Sequence, residues 1–186
     1  MIYNPQEYDF SKLEKMDVIT DKRGNRAGRE KTRYKNVVCA FDIETSRVVT
    51  GWKKDRGEDK PVYNSFLYIW MFQIGKEDTI IGRTWEEYKE FIEKIEKAIG
   101  TAKLVVYVHN LAFEFQFLSG IYPSDRWEVF APKSRRPLKA TYNDKVEYRC
   151  SYYHSNMSLE KFLESVGVED KKKVGDLDYD IVRYPW

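Results

Sequence analysis

Two nearly continuous apolar segments, each followed by polar residues, constrain the fold of this chain most strongly. Residues 37–41 read VVCAF, and residues 103–108 read KLVVYV. A strand that is apolar on both faces belongs in the middle of a sheet that other elements cover. The sequence therefore predicts a sheet with these two segments near its centre.

The segments around them complete a set of strands. A charged loop, GWKKDRGEDKP at residues 51–61, is predicted to follow the first strand. Strands are then predicted at SFLYIWMFQIG (residues 65–75) and DTIIG (residues 78–82), because β-branched and aromatic residues dominate both. Weaker strand patterns follow at RWEVFA, PLKATY and KVEYRCSYY, with an Asn143-Asp144 turn before the last of them.

Helical patterns lie between these strands. Residues 84–99 place apolar side chains at three- and four-residue spacing, and Thr84 with Glu87 matches a capping box. A short helix is predicted over residues 112–118, and Ser158 is predicted to cap a last helix, SLEKFLESVG. Strands alternating with helices predict an α/β fold, with a mixed sheet and helices against its faces.

The chain divides into a polar, basic N-terminal extension at residues 1–35 and a single domain at residues 36–186. Between Lys22 and Lys35 there are seven Lys or Arg and one acid, Glu30. This composition is typical of a solvated arm, and an arm that contacts phosphate groups is the alternative. The net charge of +2 is too small to indicate nucleic-acid binding by itself.

The remaining composition bears on the environment of the protein. Cys39 and Cys150 are the only cysteines, and they have no metal-binding spacing, which predicts free thiols in a reducing compartment. The first ten residues do not resemble a signal peptide, and no segment has the length of a membrane span. We therefore expect a soluble, intracellular protein without a membrane partner.

The first candidate site is FDIETS, residues 41–46. Asp42 and Glu44 are two residues apart at the end of a predicted strand, so their carboxylates share one face. Two carboxylates so placed repel each other unless a cation lies between them, and oxygen ligands favour Mg²⁺ or Mn²⁺. The alternative is a solvated strand end without a ligand.

The second candidate site is YVHNLAFEF, residues 107–115, where the other central strand ends. If the two strands are neighbours, Glu114 is expected to face Asp42 and Glu44, while His109 and Asn110 line the adjacent rim. The alternative is an ordinary buried strand that leads into a core helix.

These motifs resemble the exonuclease domains of family B DNA polymerases. FDIETS is similar to their first exonuclease motif, and YVHNLAFEF is similar to the second, in the form found in protein-primed phage polymerases. SLEKF (residues 158–162) and GDLDY (residues 175–179) resemble later elements of that family in the same order. The resemblance implies a ribonuclease H-like fold and 3′–5′ proofreading exonuclease activity.

The resemblance also implies roles for individual residues. Asp42, Glu44 and Glu114 would be the catalytic carboxylates and the ligands of Mg²⁺ or Mn²⁺, in a two-metal hydrolysis of the terminal phosphodiester. Single-stranded DNA would be held by Thr45, Tyr107, His109, Asn110, Phe113, Phe117, Ser158, Leu159 and Phe162. A terminal protein or another protein is a further implied partner, and the implied location is the cytoplasm of a phage-infected cell.

Two departures from the family pattern leave a second function open. Glu114 stands where the family has Asp, and no Tyr is followed four residues later by Asp, so we expect a domain that ends before the third motif. The alternative function is a short, inactive exonuclease-like phage protein. Such a protein would bind DNA or a protein partner and inhibit a nuclease or a replication system.

Overall fold

The computed structural model describes residues 1–21 and 31–168. Most of the basic stretch, the GDLDY segment and the acids Asp176, Asp178 and Asp180 lie outside these residues. The strands are β1 (Ile2–Tyr3), β2 (Val18–Thr20), β3 (Arg33–Lys35), β4 (Cys39–Asp55), β5 (Glu58–Ile74), β6 (Asp78–Gly82), β7 (Leu104–Val108), β8 (Trp127–Phe130), β9 (Lys139–Tyr142) and β10 (Val146–Cys150). The helices are α1 (Ser11–Lys15), α2 (Trp85–Ile99), α3 (Leu111–Ile121), α4 (Tyr152–Ser155) and α5 (Leu159–Ser165), with a 3₁₀ turn at Ser124–Arg126.

Eight of the strands form one mixed sheet in the order β1-β6-β5-β4-β7-β10-β9-β8. The central strands β4, β7 and β10 run parallel to one another. Strand β5 is antiparallel to β4 and β6, and β9 is antiparallel to β10 and β8. The predicted α/β class and mixed sheet are confirmed, with the two apolar segments at neighbouring central positions.

One face of the sheet packs against α2 in an aromatic core. The Phe41 ring of β4 lies 5.0 Å from the Tyr88 ring, and the fully buried Trp70 of β5 lies 5.4 Å from Phe91. Thr84 and Glu87 form the predicted capping box at the start of α2. Two orphan amide groups are satisfied in this way, which explains why the helix begins at Trp85.

Residues 1–21 contribute to the same core. Leu13 of α1 is fully buried and Tyr8 is almost so, and both belong to the hydrophobic cluster of the domain. The two residues of β1 pair with β6 at the edge of the large sheet. Strands β2 and β3 form a separate two-stranded sheet.

Strands β4 and β5 extend far beyond the sheet. They pair with each other from Cys39 and Ile74 to Asp55 and Glu58, whereas β7 pairs with β4 only at Cys39 and Ala40. We call residues 45–67 the ribbon. The predicted charged loop is therefore wrong, because most of its residues continue the two strands and the reversal is confined to a short turn at Arg56 and Gly57.

Candidate nucleic-acid interface

The candidate site lies where the parallel strands β4 and β7 end. Ala40 pairs with Tyr107, so Asp42 and His109 lie two residues further along neighbouring strands. Asp42 pairs with Met71 and Glu44 pairs with Ile69, while Phe41 and Ile43 between them are buried in the core. Both carboxylates therefore share the face of the sheet opposite the aromatic core, as predicted; we call it the outer face.

A groove with a volume of about 450 Å³ occupies this part of the outer face. It brings together four of the predicted site residues, which come from β4, β7, the residue after β7, and α5: Asp42, Tyr107, His109 and Leu159. Its other lining residues are Ala40, Phe41, Met71, Gln73, Thr79 and Ser151. Clefts at the carboxyl ends of parallel strands are the usual ligand sites of α/β sheets.

The His109 side chain is fixed by the residues that follow β10. Its Nδ1 lies 3.2 Å from the Ser151 hydroxyl, and Ser151 donates its amide and its hydroxyl to the Val108 carbonyl. The Tyr152 ring lies 5.9 Å from the His109 ring. The His154 ring lies 6.0 Å from Tyr107 in an edge-on contact.

The residues that support His109 and Tyr107 from this side were missed from the sequence. The segment SYYHS, residues 151–155, directly follows β10, which is parallel to β7. The aromatic, histidine-containing composition of this segment is the sequence feature that could have identified it. That feature indicates a site only when the preceding strand is known to be parallel to β7. The sequence left the order of the strands open.

Helix α5 places the third predicted element beside the groove. The Ser158 hydroxyl accepts a hydrogen bond from the Lys161 amide, which confirms Ser158 as the helix cap. Leu159, the first residue of α5, lines the groove. Phe162 lies one turn further along and is 39% exposed. Thr45 is half-buried, next to a β-bulge that follows Glu44.

The remaining predicted residues lie on α3 or directly before it. Asn110 precedes the helix with a left-handed backbone, φ 67°, a conformation that Asn tolerates better than most residues. Phe113 and Phe117 contact each other, and Phe117 stacks on Trp85 of α2 at 6.3 Å. Neither phenylalanine lines the groove.

Glu114 lies on the buried side of α3. It is 3% exposed, and it shares one helix face with the fully buried Leu111 and Leu118, three residues before it and four after it. Within residues 1–21 and 31–168, no three His, Cys, Asp or Glu side chains are grouped so that they could hold a metal ion. The described residues therefore do not fit the metal site that the resemblance implies.

A second cavity on the outer face adjoins the groove. It has a volume of about 400 Å³, and Tyr107 lines both cavities. The Arg149 guanidinium lies 5.5 Å from the Tyr34 ring in this cavity. Glu147 is 2% exposed, forms an ion pair with Arg149 and lies 3.9 Å from the Lys139 ammonium group. Burial, reinforced by Glu147, raises the pKa of Tyr34, so its hydroxyl stays protonated.

Comparison of the chain with protein-family models, curated proteins and solved structures finds no match. Any function assigned to the groove therefore depends on its residues and geometry. In the part of the chain that the structure describes, no helix combines the length and the apolar character needed to cross a membrane.

Proposed function

We propose that this chain is a ribonuclease H-like, exonuclease-type domain that binds the 3′ end of single-stranded DNA in the groove. One observation carries the proposal: segments that separately resemble exonuclease motifs, and that are far apart in the sequence, meet at one groove. Asp42 comes from the first segment, Tyr107 and His109 from the second, and Leu159 from the third. A chance resemblance gives no reason for these segments to converge.

The chemistry of the groove suits an unpaired nucleotide. Tyr107 and His109 offer rings in the groove on which bases stack without sequence preference, and the Tyr152 ring supports His109 from beside the groove. The imidazole of His109 and the hydroxyl of Ser151 supply polar contacts for phosphate or sugar oxygens. Leu159 and Met71 add apolar surface between these groups.

Metal-dependent hydrolysis stays a prediction and forms the second candidate function. The placement of Asp42 and Glu44 on one face of the central strand favours it. The burial of Glu114 on the inner side of α3, together with the missing metal-binding group in the described residues, favours binding without cleavage. Binding is therefore the function that the geometry supports best.

A binding measurement tests the proposal. Fluorescence anisotropy of a 5′-labelled single-stranded oligonucleotide with a free 3′ end in EDTA gives the affinity of the intact chain without metal. Loss of one stacking ring costs about 1–3 kcal/mol per base, so Tyr107→Ala is expected to weaken binding by about 5- to 150-fold. Phe130→Ala is the matched control, because Phe130 is an exposed aromatic residue on β8 outside the groove. Equal affinities of Tyr107→Ala and wild type would refute the assignment of the groove.

A second assay separates binding from hydrolysis. The same oligonucleotide is incubated with wild type and with Asp42→Ala/Glu44→Ala in Mg²⁺, in Mn²⁺ and in EDTA. Release of mononucleotides that requires both the metal and the two carboxylates would establish the exonuclease. Binding without release in all three conditions would establish a binding domain.

A further inference from the structure

The ribbon is an unusual extension for a domain of this size. Strand β5 pairs with β6 only from Trp70 to Ile74, so residues 45–67 form a two-stranded structure that joins no third strand within the described residues. A two-stranded hairpin is marginally stable in water by itself. A ribbon of this length therefore calls for a binding partner.

The surface of the ribbon is both apolar and basic. Trp52 is 68% exposed, and Val48, Val49, Tyr63 and Phe66 are exposed as well. Residues 45–67 contain five Lys or Arg and three Asp or Glu. The basic residues are Arg47, Lys53, Lys54, Arg56 and Lys60.

The positions of these residues indicate an anionic partner. Lys53 is exposed directly opposite Lys60 across the two strands, and Lys60 forms an ion pair with Asp55 at 2.7 Å. The exposed ammonium group of Lys53 is therefore the one at this place that a phosphate group can contact. The Arg47 guanidinium lies 4.3 Å from the Tyr63 ring, which combines a cation and an aromatic surface at one place. Aromatic rings next to Lys and Arg are the typical elements of surfaces that follow a nucleic-acid strand.

We infer that the ribbon binds the nucleic acid that leads into the groove, through phosphate contacts of Lys53 and Lys54 and stacking on Trp52. This inference rests on the proposed function and extends it from the 3′ end to the adjoining duplex or single strand. Strand β4 connects the two regions, because it carries Asp42 at the groove and Trp52 on the ribbon, with β-bulges after Glu44 and Val49.

The dimensions of the ribbon set the length of nucleic acid that it reaches. Eleven residues separate Glu44 from Asp55, and a strand rises about 3.3 Å per residue, so the ribbon extends about 36 Å beyond the groove. This length corresponds to about 11 base pairs of duplex. A two-stranded ribbon is also narrow enough to enter a major groove about 12 Å wide.

Three probes test the inference by fluorescence anisotropy in EDTA. The first is a single strand of about four nucleotides, which fills the groove alone. The second carries the same four nucleotides as a 3′ overhang on a duplex of about 11 base pairs, and the third is a single strand of the same total length. The ribbon variant is Lys53→Ala/Lys54→Ala, and the matched control is Lys89→Ala/Lys97→Ala, which removes two charges from α2.

The expected results differ between the probes. The two long probes should bind wild type more tightly than the short one. The ribbon variant should weaken binding of a long probe by about ten- to fifty-fold at 0.1 M salt and reduce the salt slope by about 1.4 to 1.8, since two phosphate contacts are lost. It should leave the short probe unaffected, and the control variant should behave as wild type. The tailed duplex and the long single strand show which form the ribbon prefers.

Each contrary outcome is distinguishable. Binding of all three probes with equal affinity, or equal loss in both double variants, would overturn the role of the ribbon and leave the groove assignment intact. No binding of the short probe by wild type would overturn the proposed function itself. Concentration-dependent dimerisation in analytical ultracentrifugation that Trp52→Ala abolishes, without an effect on long-probe affinity, would assign the ribbon to self-association instead.

Discussion

Gly82 is the position where one added methyl group has the most sharply defined consequence. Gly82 of β6 pairs directly with Trp70 of β5, and the indole ring covers the glycine. A Cβ at residue 82 would lie 2.7 Å from Trp70 Nε1 and closer still to the ring carbons Cε2 and Cζ2. Such contacts do not occur between packed atoms, so Gly82→Ala requires the indole to move.

The surroundings of Trp70 oppose that movement. The indole is fully buried, the rings of Tyr88 and Phe91 lie 5.2 Å and 5.4 Å away, and Nε1 donates to the Thr84 carbonyl at 3.0 Å. Overpacking a core costs about 1–3 kcal/mol. Loss of the indole hydrogen bond adds about 1 kcal/mol. We therefore expect Gly82→Ala to lower the free energy of unfolding by about 2–4 kcal/mol.

Urea denaturation followed by circular dichroism measures this change. Gly120→Ala is the matched control: Gly120 lies in α3 with no heavy atom within 4 Å of the added Cβ. This control should stabilise the chain by about 0.5 kcal/mol through helix propensity. In a Trp70→Phe background, where the outer indole ring is absent, Gly82→Ala should cost much less. A Gly82→Ala curve that superimposes on wild type, or a cost unchanged by Trp70→Phe, would refute the packing argument.

Two further predictions concern the buried tyrosines. The hydroxyls of Tyr88 and Tyr148 share a buried hydrogen bond of 2.6 Å, so Tyr88→Phe or Tyr148→Phe alone should lower the free energy of unfolding by about 1–3 kcal/mol. The double variant Tyr88→Phe/Tyr148→Phe should recover much of this loss, because neither hydroxyl is left without its partner. Urea denaturation of the three variants checks this, and additive costs of the two single substitutions would contradict it. Burial, with a contribution from Asp78, raises the pKa of Tyr8 to about 12, and burial also raises the pKa of Tyr122 above its ordinary value. Above pH 10 these phenols stay protonated in the folded chain and ionise in the unfolded chain. The free energy of unfolding is therefore expected to fall by about 1.4 kcal/mol per pH unit for each of the two tyrosines. A free energy of unfolding that stays constant between pH 9.5 and 11 would contradict this prediction.

The sequence alone was sufficient where the signal is local. The capping box at Thr84, the apolar stripe of α2 and the Asn143-Asp144 turn, whose residues have φ of 49° and 55°, lie where they were predicted. Each of these features is defined by a few consecutive residues and needs no tertiary contact. The shared face of Asp42 and Glu44 follows in the same way from the alternation of side chains along a strand.

The prediction from the sequence was wrong where the strands are exposed. Residues 51–61 have no apolar alternation because no layer formed by residues 1–21 or 31–168 covers the ribbon, so the period that identifies a half-buried strand is missing. The ribbon is held instead by backbone hydrogen bonds between β4 and β5. Backbone hydrogen bonds do not depend on particular side chains, so the amino-acid composition does not reveal them.

The sequence by itself was thus sufficient to predict the α/β class, the two central strands and the candidate site residues Asp42, Tyr107 and His109. Tertiary structure decided which of them meet. The parallel pairing of β4, β7 and β10 adds Ser151 to the groove and places Tyr152 against His109, and the orientation of α3 directs Glu114 to its buried side. The physical reason is that strand order and helix rotation depend on contacts between residues far apart in the chain, which no local pattern encodes.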